Sequence, residues 1–310
     1  MSRPRFAAAG TAVAALLLAL VPVSATAQPP PPTVTAAPDV NVNGVLDHLT
    51  EFQSIAVANG GNRASGTPGY DQSADYVAET LTAAGYTVTR QACTSCNGQD
   101  ENIIADWPGG DTASTVMLGA HLDGVRSGPG INDNGSGSAA LLEVALTLAA
   151  ANPDMSKHVR FAWWADEESG LRGSNYYVRT TGVSDLEVYL NLDMVGSSNA
   201  GYFIANLSGA ASTPFRDYLD GQGLAPEEMT ECCSDDSPFR NAGVPTSFLS
   251  TGASKLKTAA QAAKWGGTAG RSYDPCYHSS CDSYPGNIDA TALDHMTDAT
   301  AHAVWELAVQ

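Results

Sequence analysis

Gly119-Ala120-His121-Leu122-Asp123-Gly124, with Gly130-Ile131-Asn132-Asp133-Asn134-Gly135-Ser136-Gly137 close behind, ends an apolar run that begins at Ser114 and leads into the Ala/Leu-rich residues 136–151. That order predicts a buried strand over 114–120, a glycine-bracketed turn, and a helix with Leu141, Leu142, Val144, Ala145 and Leu148 on its apolar face. An imidazole and two carboxylates then stand at a strand exit. In open α/β sheets, ligands and catalytic groups collect at such exits.

The pattern recurs along the chain. Residues 158–165 read as a strand running into Asp166-Glu167-Glu168, and 186–192 as another that ends in Asp193-Met194. Upstream, 45–58 and 70–84 space their apolar residues as helices, while 86–91 and 102–107 carry the β-branched enrichment of strands. Downstream come a strand at 201–204, a helix at 214–222, a strand at 244–249, a long loop over 264–285 carrying Tyr277 and His278, and a closing helix at 290–309. Strands interleaved with helices predict an α/β fold: one globular domain over residues 37–310, with a central mixed, mostly parallel β-sheet sandwiched by helices.

Residues 1–27 combine Arg3 and Arg5, an apolar stretch and Ala25-Thr26-Ala27, the signature of a secretory signal peptide. Proline-rich residues 28–36 predict a linker or pro-segment, and the expected location is extracellular. No later apolar run approaches the roughly 20 residues of a transmembrane helix. A formal charge of −18 argues against nucleic acid and anionic membranes as partners. The six cysteines favour disulfides in an exported chain, with Cys276 and Cys281 the firmest pair; Cys93, Cys96, Cys232 and Cys233 stay open.

His121, Asp133, Glu168, Asp193 and His278 make two imidazoles and three carboxylates, a set that suits zinc. A carboxylate shared between two ions would make a two-metal hydrolytic centre, in which the ions activate a shared water. Glu167 points away from its neighbour Glu168 and is free to take that water's proton. Asp123 is placed to hold the second N–H of His121, and Tyr277 to donate its hydroxyl to an oxyanion. Taken singly, each of Asp133, Glu168 and Asp193 reads more readily as a helix cap or a solvated loop group than as a ligand; recurrence at three strand exits weighs toward chemistry.

These strings, together with Trp163-Trp164 ahead of Glu167-Glu168, Asn191-Leu192-Asp193-Met194 and Cys276-Tyr277-His278-Ser279-Ser280-Cys281, resemble the M28 family of zinc aminopeptidases, and within it the secreted streptomycete leucine aminopeptidases, from Ala37 onward. The resemblance implies two Zn²⁺ per chain, His121 and Asp193 on one, Glu168 and His278 on the other, and Asp133 bridging. It implies Glu167 as general base, Tyr277 as stabiliser of the tetrahedral intermediate, and a cis peptide after Asp133. It further implies attack of a metal-bridged hydroxide on the amino-terminal peptide bond and preference for large apolar N-terminal residues such as Leu, Phe and Met. Met194 and Phe239 would line the substrate pocket. A structural or activating Ca²⁺ would fall on Asp39, the backbone of Val40, Asp294 and Asp298.

The chain departs from this pattern at Cys233-Ser234-Asp235-Asp236, where the streptomycete enzymes carry Arg-Ser-Asp-His. An arginine that helps hold the substrate is thereby replaced. The expected protein is a secreted, monomeric aminopeptidase acting on peptides with a free N-terminus. A one-zinc glutaminyl cyclase or a carboxypeptidase on this scaffold is the first rival reading, separable by metal content and by an amino-blocked peptide. A non-catalytic module is the second, and the intact ligand set weighs against it.

Overall fold

The computed structural model describes residues 1–2, 36–230 and 233–309. Nearly all of the expected signal peptide and linker, and Cys232, lie outside the described residues. Helices α1 (Val42–Ala58) and α2 (Pro68–Ala83) lead into strands β1 (Thr87–Ala92) and β2 (Glu101–Asp106). Next β3 (Asp111–His121), α3 (Gly137–Ala151), β4 (Lys157–Trp164), α4 (Arg172–Thr180) and β5 (Leu186–Leu192) alternate. The rest comprises β6 (Phe203–Ala205), α5 (Thr213–Gly221), β7 (Glu227–Glu228), α6 (Asp236–Asn241), β8 (Thr246–Ser250), α7 (Ala259–Trp265) and α8 (Ala290–Ala308).

Among the described residues, eight strands form one sheet in the order β1-β2-β4-β3-β5-β8-β6-β7. Its centre, from β4 through β3 and β5 to β8, is parallel. The β1–β2 pair is antiparallel on one flank and β6 runs antiparallel to β8 on the other, so the sheet is mixed with a parallel middle, as predicted. The chain leaves β3 for β4 on one side and then returns across it to β5 on the other. Strand order therefore reverses at β3, which opens a crevice at the carboxyl ends there.

The period-2 alternation of the central strands feeds two cores. Val116, Leu118 and Ala120 of β3 and Phe161 and Trp163 of β4 enter the larger one, beneath α1, α2, α3 and α8. Met117, Ala162 and Trp164 enter the smaller one, beneath α4 and α6. Trp163 and Trp164 are both wholly buried, one on each face. The indole Nε1 of Trp163 donates to the Ser138 carbonyl at 3.1 Å and that of Trp164 to the Tyr189 hydroxyl at 2.8 Å. Without such partners a buried N–H costs about 1–3 kcal/mol.

Helix α4 is not foreseen by the apolar pattern. It buries only Gly173, Ser174 and Tyr177, too few large side chains to mark a face. Cys276 and Cys281 are bonded, as expected, and Cys93 pairs with Cys96; Cys233 is disulfide-bonded as well.

Candidate metal centre

His121 closes β3 and is 1% exposed. Its Nδ1 lies 3.0 Å from the backbone carbonyl of Asp123, so the ring donates there and turns Nε2 toward the crevice. The turn that follows needs a glycine at 130. Gly130 has a φ of +64°, and a Cβ on it would stand 2.7 Å from the Asp133 carbonyl oxygen. The Asp133–Asn134 peptide is cis. Asp282 accepts from the N–H groups of Asn132 (2.7 Å) and Asp133 (3.0 Å), which ties the turn to the loop closed by Cys276 and Cys281. Asn134 donates to the Leu192 carbonyl at 2.9 Å and accepts from the Met194 N–H at 3.1 Å, which ties it to the end of β5.

Glu167 and Glu168 leave β4 on a turn whose N–H groups donate to the Asp123 carboxylate at 3.0 and 3.3 Å. Asp123 meets the imidazole through two groups. Because β3 ends at His121, strand alternation stops before Asp123; its backbone oxygen takes the imidazole N–H while its carboxylate, 3.6 Å from Nδ1, organises the Glu167 turn. Asp166, buried and at a φ of +57°, accepts from the backbone N–H and Nδ2 of Asn97 at 2.8 and 2.9 Å. The Cys93–Cys96 loop thus grips the same turn from behind.

The five sequence-predicted ligands meet in the crevice. His121 Nε2 lies 3.4 Å from Asp133 Oδ1 and 3.3 Å from Asp193 Oδ1. His278 Nε2 lies 3.0 Å from Asp133 Oδ2 and 3.0 Å from Glu168 Oε2. Among the described residues, two triads result, His121/Asp133/Asp193 and Asp133/Glu168/His278, each with ligand atoms within 4.8 Å of one another. Asp133 belongs to both and offers one oxygen to each.

Burial opposes a charge on His121, yet Asp193 and Glu167 outweigh it and hold its pKa well above the usual imidazole value. Burial likewise opposes ionisation of Asp133, but hydrogen bonds from His121 and His278 pull it down to about 2. Hydrogen bonds to Asp133 and Glu168 lift His278 to about 10. Burial pushes Glu168 up to about 7 and Glu167 well above the carboxylate range. The protein groups alone thus crowd negative charge that only borrowed protons relieve. Glu168 Oε1 is buried and has no hydrogen-bond partner among the described residues. Converging nitrogens and carboxylate oxygens with an orphaned oxygen among them fit a cation, and the N/O donor set suits zinc.

A cavity of about 440 Å³ opens over this cluster, with Glu167 and Tyr277 on its wall and Met194, Met229 and Phe248 on its apolar side. The placement of Phe239 in the pocket is corrected. It is wholly buried beneath the sheet, stacked on Tyr189 at 3.9 Å and packed beside Trp164 and Tyr177. Helix α6 faces the smaller core, so a ring projecting from it goes there. Phe248 and Met229, not foreseen from sequence, take up the apolar wall with Met194.

Away from the crevice, Asp298 accepts from the Val40 N–H at 2.8 Å and the Tyr218 hydroxyl at 3.0 Å. Burial, joined by the charge of Asp39, raises the pKa values of Asp294 and Asp298. The acidic residues expected to hold calcium are therefore neighbours.

Residues 102–304 match the profile of the family described as peptidase family M28. The chain is similar to leupeptin-inactivating enzyme 1 of Streptomyces exfoliatus, 50% identical over 312 aligned positions covering 99% of this chain and 71% of that one. It spans less than half the length of other curated aminopeptidases that it matches, 40% to 48% of each. Among solved structures, a zinc aminopeptidase from Bacillus subtilis is similar at a TM-score of 0.57 and 27% identity, over 70% of this chain and 52% of that one. An aminopeptidase from Aneurinibacillus reaches a TM-score of 0.70 over 87% of this chain and 95% of that one; at 16% identity this likeness speaks for the fold.

Proposed function

Because the chain belongs to peptidase family M28, we propose that it is a secreted two-zinc aminopeptidase that hydrolyses the first peptide bond of peptides bearing a large apolar N-terminal residue. The observation that carries this reading is the pair of triads sharing Asp133 beneath a cavity that also holds Glu167 and Tyr277. Its disulfides suit an oxidising compartment. His121 and Asp193 would hold one ion, Glu168 and His278 the other, and Asp133 both. Zinc, when bound, supplies Lewis acidity toward the scissile carbonyl and acidifies water. Asp39, Asp294 and Asp298, with the backbone of Val40, form the proposed Ca²⁺ site.

Glu167 is the base. It lies on the cavity wall and takes no part in either triad, so its carboxylate is free to accept a proton from water and return it to the departing amine. Burial and the charge of Asp133 raise the Tyr277 pKa above its normal value, so the phenol stays protonated and donates to the oxygen that gains charge in the transition state. Negative groups around the cavity attract a substrate ammonium, while Met194, Met229 and Phe248 receive the apolar side chain beside it.

Leucine p-nitroanilide is the test substrate. Cleavage should vanish on chelation, return with zinc, and be absent for the N-acetylated analogue. Equal cleavage of the acetylated compound would remove the aminopeptidase reading, and a single zinc per active chain would favour a cyclase-like site instead. For Tyr277→Phe we expect a loss in kcat on the order of 100-fold with little change in KM, because the hydroxyl acts mainly in the transition state. A change confined to KM would assign Tyr277 to binding.

A further inference from the structure

Beside the catalytic cavity lies a second one of about 210 Å³, and the two share Met229, Thr230 and Lys255 as a common wall. Its far side is partly aromatic: Phe203 and Tyr273 meet edge to face at 5.1 Å, with Leu256 beside them and Thr258 and Gln261 as the polar part. Leu256 is 61% exposed, so this cavity is open to solvent on that side.

In that common wall Lys255 Nζ donates to the Thr230 hydroxyl at 3.0 Å, and Met229 is its apolar member. Its backbone is fixed, since the Met229 N–H donates to the Ile204 carbonyl on β6 at 3.0 Å. Its side chain is only half-buried and unbranched, with three rotatable bonds, so it can swing without disturbing the strand beneath. We propose that Met229 is a movable wall between the catalytic cavity and an extension that receives the distal part of long apolar N-terminal side chains. The inference rests on the aminopeptidase reading above. The occupant follows from continuity: Met229 already borders the space assigned to the N-terminal side chain, so a chain too long for that space meets Met229 first and Phe203, Leu256 and Tyr273 next.

A branched four-carbon side chain such as leucine's ends before the partition, whereas that of homophenylalanine passes it. Extra methylenes in an apolar pocket change kcat/KM by about tenfold or more. The test compares zinc-loaded wild type, Met229→Ala, Leu256→Asp and the double variant on leucine and homophenylalanine p-nitroanilides. The ratio of kcat/KM for homophenylalanine over leucine should rise about tenfold in Met229→Ala. It should fall in Leu256→Asp, which sets a carboxylate in the extension, and the double variant should lose the gain. Using a ratio within one sample removes any difference in folded fraction.

A ratio unmoved by Met229→Ala would overturn the proposal. So would a gain that persists undiminished in the double variant, because the new space would then lie in the catalytic cavity alone. If zinc-loaded wild type cleaves neither substrate, the aminopeptidase reading itself fails. Cleavage of leucine with an unmoved ratio removes only the extension.

Discussion

Glu167→Ala is expected to bind two zinc ions yet turn over about 10²- to 10⁴-fold more slowly, the range that a positioned base supplies. The two triads do not use this side chain, so both keep their ligands. What holds the turn is the backbone: the N–H groups of 167 and 168 donate to Asp123 whatever the side chain at 167. Glu167→Gln should fall as far, since it keeps the shape and loses only the basicity. Metal analysis beside steady-state kinetics gives the answer. Near-normal turnover at full zinc content in either variant would exclude Glu167 as the base.

Arg63 carries the second large effect. It lies between α1 and α2, wholly buried, with its guanidinium 4.9 Å from the centre of the Phe52 ring. Nη1 donates to the Leu122 carbonyl at 2.6 Å, Nη2 to Gly130 at 2.5 Å and Nε to Pro129 at 3.0 Å. One planar fork thereby joins the residue after His121 to the turn that carries Asp133. Burial lowers its pKa to about 10 against the pull of Asp282, Asp123 and Asp133, so it remains a cation at neutral pH behind the ligand carboxylates.

Removing it takes this donor from the buried carbonyls of Leu122 and Pro129, leaves Gly130 only the Gly135 N–H at 3.0 Å, and deletes that charge. Arg63→Met should destabilise the fold by about 3–5 kcal/mol, as breaking a buried charged network does, and weaken zinc binding. For a domain of this size that corresponds to a fall in Tm of roughly 10 °C. Arg63→Lys should recover little, because a single ammonium cannot reach carbonyls spread around a planar fork. Thermal melts of the metal-free variants and zinc titrations measure both effects. A melt within about 1 kcal/mol of wild type would show that water or relaxation satisfies the carbonyls.

Sequence pattern brought out the residues proposed as ligands and missed Arg63 for one physical reason. A buried parallel strand is apolar nearly throughout, so a histidine or carboxylate that ends β3, β4 or β5 has one place to be, the exit, and His121, Glu168 and Asp193 are conspicuous there. Arg63 sits in a short connection without periodicity, where an arginine ordinarily faces solvent. Nothing in the sequence singles out Asp282 within its long loop, although burial lifts its pKa to about 7 and it clasps the Asp133 turn. The pocket wall was ambiguous for another reason. Every residue of β8 is buried, so nothing in its pattern says which side Phe248 takes, and the six residues of α6 are too few to show which way Phe239 points.

The position of β3 also sets an order of assembly. It is the middle strand, yet its neighbours β4 and β5 both come later in the chain, and the loop bearing His278 comes later still. Each of these closures is non-local, and loop-closure entropy is lost before any contact repays it, which makes such topologies slow to fold. The triads therefore cannot seed the sheet; they exist only once it is built. Zinc bound at the proposed centre would then act as a latch on a finished fold, adding about 1.4 kcal/mol of stability for each tenfold rise in free zinc above its dissociation constant.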